Sequence, residues 1–121
     1  MNRNVLVLAF LGDAIYELYI RNYLLTKKIE KVNDLQTIKT NYVSAKAQET
    51  YVKKMIEENF LTEEEISIFK RGKNHKGNRH PKNTDLITYK YATGLEAVIG
   101  YLSLEKKEQR INEIMEYIIN N

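Results

Sequence analysis

Proline occurs once in this chain, at position 81, and glycine only five times. A β-sandwich or barrel spends both residue types on many tight turns, so an all-β architecture has little to build with here. Long elements are what such a chain can make. Apolar residues do recur at helical spacing along nearly its whole length. At 121 residues it is the size of one domain. With no internal repeat and no linker long enough to divide it, residues 1–121 read as a single all-α domain.

The segments can be placed. Residues 4–25 are strongly apolar, with Asp13, Glu17 and Arg21 spaced by four and therefore on one face. Asn33 with Gln36 predicts a capping box that opens a helix running to about Asn59, with a break near Thr40-Asn41. Thr62 with Glu65 predicts a second capping box. Glu63 and Glu64 favour the positive end of that helix dipole, and Lys70, Arg71 and Gly72 supply its stop. Residues 73–83 have loop composition. Asn83 or Thr84 caps a segment over roughly 85–102, and a last amphipathic helix is expected from about Leu104 to Ile119.

Composition excludes several functions. There is no Cys, hence no disulfide scaffold, thiolate zinc site or Cys nucleophile. The apolar run from Val5 to Leu11 follows Arg3 as a signal-peptide core would, but it meets Gly12-Asp13-Ala14 with no small-x-small cleavage site. Asp13, Glu17 and Arg21 also interrupt it short of the ~20 apolar residues of a membrane span. A cytoplasmic protein with no membrane partner is expected. The net charge is only +3, but its distribution is uneven. Lys70, Arg71, Lys73, Lys76, Arg79 and Lys82 fall in one stretch without an acid, so a segment of +6 sits on a body of −3. That asymmetry points to a polyanion, although a solvated charge run is the plainer reading. His75 and His80 lie in the same stretch with no third ligand nearby, which argues against metal binding. The nine Tyr residues fall mostly at helical core spacing.

Two acids stand out. Asp13 lies in Leu8-Ala-Phe-Leu-Gly-Asp-Ala-Ile-Tyr16, and Glu96 in Tyr91-Ala-Thr-Gly-Leu-Glu-Ala-Val-Ile-Gly-Tyr101. Each is a lone carboxylate among core-seeking side chains, with Gly12, Gly94 or Gly100 nearby. Glycine inside a helix costs about 1 kcal/mol relative to alanine, so its recurrence in the two most apolar helices points to close approach. A carboxylate held between helices must be paired, protonated or bound to a cation. Two facing carboxylates are reconciled by a divalent ion, and their hard oxygens suit Mg²⁺. The same residues allow a structural reading, in which Asp13 heads the Asp13–Glu17–Arg21 stripe and Glu96 pairs with Lys90 or Arg110.

Leu8-Ala9-Phe10-Leu11-Gly12-Asp13-Ala14-Ile15-Tyr16-Glu17 resembles the signature of ribonuclease III domains, and Leu95-Glu96-Ala97-Val98-Ile99-Gly100-Tyr101-Leu102 resembles their second acidic motif. Tyr42-Val43-Ser44-Ala45-Lys46-Ala47-Gln48 is similar to the intervening helix. Arg71-Gly72-Lys73-Asn74 resembles the basic stretch of the small Mini-III branch, which has the nuclease domain without a double-stranded-RNA-binding domain. The larger family has acids where this chain has Leu6, Ala9 and Thr93; the Mini-III branch shares that thinned set.

The resemblance implies a helical ribonuclease III-type endonuclease domain that hydrolyses double-stranded RNA with Mg²⁺ and leaves 5′-phosphate and 3′-hydroxyl ends. Asp13 and Glu96 would be the catalytic residues and metal ligands, with water and RNA phosphate completing the coordination. Lys70, Arg71, Lys73, Asn74, Lys76, Arg79 and Lys82 would bind RNA, mainly through the phosphates of an A-form duplex. Cutting both strands calls for two sites on a two-fold axis, hence a symmetric homodimer, and by resemblance Phe10 would plug into the partner subunit. The implied substrate is precursor large-subunit (23S) ribosomal RNA, with a ribosomal-protein helper as a further partner. Two other readings compete: a non-catalytic double-stranded-RNA-binding module on the same fold, and a helical interaction protein with a basic loop.

Overall fold

The computed structural model describes residues 4–76, 82 and 84–121, and among them the regular structure is entirely helical. The helices are α1 (Val5–Leu25), α2 (Val32–Val43), α3 (Ala45–Glu57), α4 (Glu63–Lys73), α5 (Leu86–Leu104) and α6 (Glu108–Ile119).

Helix α5 is the centre of the domain. Eleven of its residues are buried, and α1, α4 and α3 pack around it. The core gathers Leu8, Tyr16 and Ile20 of α1, Val52 and Met55 of α3, Leu95, Ile99 and Leu102 of α5, and Ile114 and Ile118 of α6. Glycine sets the closest crossings. A Cβ built on Gly12 would lie 1.7 Å from the Glu96 carbonyl oxygen, and one on Gly100 would lie 1.9 Å from that of Leu8. The backbones of α1 and α5 therefore touch, as the glycines of these two helices led one to expect. Gly94 does something else: it faces Phe69 of α4, where Gly72 packs against it.

Local chemistry explains most helix ends. Thr62 and Glu65 form the expected reciprocal capping box. The box at Asn33 does not form. Helix α2 starts at Val32 after Lys31, without a side-chain cap, and Asn33 is already inside the first turn. The break in the following segment comes at Ser44, beyond Thr40-Asn41: its extended backbone ends α2, and its hydroxyl accepts the Ala47 N–H to start α3. Helix α4 runs one residue past Gly72, with Asn74 closing it. Asp85, rather than Asn83 or Thr84, precedes α5; Asn83 lies outside the described residues. Leu104 belongs to α5 and not to the last helix. Lys106 turns left-handed (φ 59°) and the Lys107 N–H reaches back to the Leu102 carbonyl, so α6 begins only at Glu108.

Candidate functional site

The Gly12–Gly100 crossing decides what stands next to what. Asp13 directly follows Gly12, and Glu96 is the residue whose carbonyl Gly12 meets. The two carboxyl groups consequently meet as hydrogen-bond partners across the α1–α5 junction. Asp13 is exposed and Glu96 half-buried, so the pair sits at an opening; the apolar neighbours in sequence had led one to expect both acids held between the packed helices.

Electrostatics at this pair are unbalanced. Glu96 is pushed up to about 8, first by burial, then by the charge of Asp13 and the hydrogen bond with it; the Gln48 amide pulls the other way. Among the described residues neither acid forms a salt bridge. Arg110, one partner open to Glu96 from sequence, is engaged elsewhere: its guanidinium binds both oxygens of Glu65, at 2.8 and 2.9 Å. The stripe below Asp13 is paired as expected, with Arg21 3.0 Å and Lys39 2.7 Å from Glu17.

Sequence reasoning missed Gln48. This α3 residue is buried, and its Nε2 donates to the Val43 carbonyl at 3.2 Å and to Glu96 Oε2 at 3.4 Å, while Oε1 has no partner. Tyr16 stands on the same side: its hydroxyl donates to the Tyr42 carbonyl at 2.8 Å, and burial, then the charges of Tyr51 and Glu96, raise the phenol pKa. Two acids in contact, with neither in a salt bridge among the described residues, are oxygen donors that fit a hard divalent ion. No cluster of three acids or histidines exists among the described residues, so protein carboxylates alone would not complete its shell.

The basic segment leaves the domain close by. Gly72 packs on Gly94, the Thr93 carbonyl and Ala97, the turn of α5 that carries Glu96. Lys70 and Arg71 are exposed on the last turn of α4, as are Asn74, Lys76 and Lys82 beyond it. Lys73 is half-buried, its ammonium 5.0 Å from the centre of the Tyr91 ring. Arg79 and His80 lie outside the described residues, and His75 is half-buried. A second cluster also escaped notice. The buried Glu49 holds Lys46 at 3.2 Å, Lys53 at 2.9 Å and the Thr88 hydroxyl at 3.0 Å. Lys53 also reaches over Tyr91, 4.8 Å from its ring centre. The spacing Lys46–Glu49–Lys53, three then four residues, was the available signal.

Phe10, one turn before Asp13, is 82% exposed, and Val7 one turn earlier is 48% exposed. No helix among the described residues is long and apolar enough to cross a membrane.

Comparison with known proteins gives one consistent family. Residues 6–107 match the Ribonuclease III domain. Mini-ribonuclease 3 of Enterococcus faecalis is 46% identical over 96% of this chain and 88% of the relative. That of Streptococcus pneumoniae is 44% identical over 96% and 91%. A crystal structure of a Fusobacterium nucleatum protein superposes with a TM-score of 0.86 at 42% identity, covering 98% of this chain and 93% of that one.

Proposed function

The chain belongs to the ribonuclease III family of double-stranded-RNA endoribonucleases, and on that premise we propose that Asp13 and Glu96 form its metal-dependent active site. The observation that carries this reading is the contact between the two carboxyl groups, one half-buried and pushed up to about 8, with neither in a salt bridge among the described residues.

The family's divalent cation is here proposed to be Mg²⁺, held by Asp13 and Glu96. When bound, it would offset the charge of a scissile phosphodiester and lower the pKa of a water, so that hydroxide attacks phosphorus while the bond to the 3′ oxygen breaks, giving 5′-phosphate and 3′-hydroxyl ends. The chain's own residues prepare that chemistry. Asp13 presents a carboxylate at the surface, where RNA can reach it. Glu96 would hold the cation through its carboxylate, from the α5 side of the crossing. Tyr16 stays a neutral phenol and ties α1 to the end of α2 beneath the site. No His, Ser or Lys is required as nucleophile.

Lys70, Arg71, Lys73, Asn74, Lys76, Arg79 and Lys82 are proposed to hold the duplex through its phosphates. The packing of Gly72 against the Glu96 turn supports this, because the basic segment then starts beside the cutting site. A symmetric homodimer is proposed with Phe10 in the interface; a phenyl ring 82% exposed one turn from Asp13 favours burial against a second copy. The substrate proposed is the end regions of precursor 23S ribosomal RNA in the cytoplasm, with a ribosomal protein as helper. The kinship with proteins named Mini-ribonuclease 3 supports it.

The test is incubation of the full chain with a structured RNA duplex, with Mg²⁺ or with EDTA, beside Glu96→Gln. Cleavage by the wild type with Mg²⁺ alone is expected. Binding without cleavage in every lane would instead make this a double-stranded-RNA-binding module.

A further inference from the structure

Gln48 lies in the first turn of α3 with 1% of its surface exposed. A primary amide is tolerated at such depth when its polar atoms are satisfied or have work to do. Both Nε2 interactions go to oxygens, the Val43 carbonyl and Glu96 Oε2. That fixes the orientation of the amide, since a flipped one would set its own oxygen against two others. The atom left over is Oε1.

The anchor for this amide comes from the helix break. Val43 is the last residue of α2, where carbonyls lack a partner within the helix. Ser44 then caps α3 and brings Gln48 back into its first turn, with the Gln48 N–H on the Ser44 carbonyl at 3.0 Å. The Val43 carbonyl, Gln48 and Glu96 thus form a chain from the end of α2 through α3 to α5. A neutral donor also suits the place. It steadies Glu96 without adding a third negative charge to a pair that already repels.

Resting on the nuclease reading above, we propose that Gln48 is a positioning residue of the metal site, its anchored amide fixing the Glu96 carboxylate for a divalent cation. Outer partners of this kind are worth roughly 10–100-fold in metal affinity or activity.

The experiment uses the full chain without RNA. Mn²⁺ binding is measured by calorimetry for the wild type, Gln48→Met and Gln48→Leu, with circular dichroism to confirm folding. The variants should bind Mn²⁺ about 10–100-fold more weakly. On a labelled duplex kcat should fall by a similar factor, with KM within about twofold of wild type, because the basic segment is untouched. Wild-type Mn²⁺ affinity in either folded variant overturns the proposal. Should both variants unfold, the wild type decides. The Gln48 side-chain amide signal in nitrogen–proton NMR should shift on Mg²⁺ titration, and a signal that stays put at saturation overturns the idea. Failure of the nuclease reading looks different: Mn²⁺ binds and depends on Gln48, yet the wild type cuts no RNA. A wild type that binds no Mn²⁺ overturns both.

Discussion

Glu65 and Glu96 are both drawn into the packing between helices, and their surroundings are opposites. Glu65 is 2% exposed and fully answered: the Arg110 fork grips both its oxygens, and one of them also accepts the Thr62 N–H. Arg110 continues to the Phe60 carbonyl at 2.7 Å and lies over the Phe60 ring, so the pair bolts α6 to the start of α4. Glu96 is less deeply placed, yet its nearest charged neighbour is another acid. Glu49 sides with Glu65, since two lysines and a hydroxyl hold it below the ordinary carboxylate range. Structural acids in this domain carry their counter-charges with them. Among the described residues Glu96 has no such counter-charge, which is why the active site is proposed there.

That contrast can be broken by substitution. The largest effect is expected at the active site: Glu96→Gln should cut duplex cleavage about a thousandfold, the equivalent of losing several kcal/mol of transition-state stabilisation. It should leave the metal-free fold intact, since a neutral amide takes the place of the protonated acid. A single-turnover assay with a melting curve reads both. Arg110→Met should do the reverse, lowering stability by about 3 kcal/mol by stranding the buried Glu65. Cleavage by the fraction that remains folded should persist; urea titration gives the first value.

A pH series on metal-free protein separates the two kinds of acid. Glu96, raised to about 8, keeps its proton in the fold, whereas the unfolded chain releases it near the ordinary 4.5. The native state then binds more protons across that window, and stability should fall as pH rises from about 5 to 8. Glu96→Gln should flatten the slope. Glu17 and Glu49 are lowered, the first by Lys39 and Arg21, the second chiefly by Lys53. Their contributions are complete above 4.5 and disappear only on further acidification. The smallest effect is expected from Lys46→Ala, within about 0.5 kcal/mol by the same urea titration. Its ammonium is exposed, and Lys53 and Thr88 keep Glu49 satisfied.

Much of this was legible along the chain. Periodicity exposed the apolar body of α1 and α5, Thr62–Glu65 announced its capping box, and glycines in two apolar helices announced their close crossing. Signals that depend on the backbone bending without glycine were silent. Ser44 ends one helix and starts another through an ordinary serine, and Lys106 turns left-handed where no small residue gave warning. The Asn33 box failed for a related reason: two residues of the right kind at the right spacing do not cap when the helix has already begun at Val32. Gln48 was hidden because its meaning depends on a neighbour 48 positions away. A one-dimensional pattern shows that residue as polar and says nothing about what it touches.

Where α1 and α5 cross, main chain lies on main chain at Gly12 and Gly100. Interfaces made of side chains can be repacked, because one lost methyl can be offset by another gained across the gap. This one has no such slack, since neither position has an atom to give up. Across a saturation library the two glycines should therefore behave as a fixed hinge pin, refusing every replacement while the apolar residues around them trade places freely.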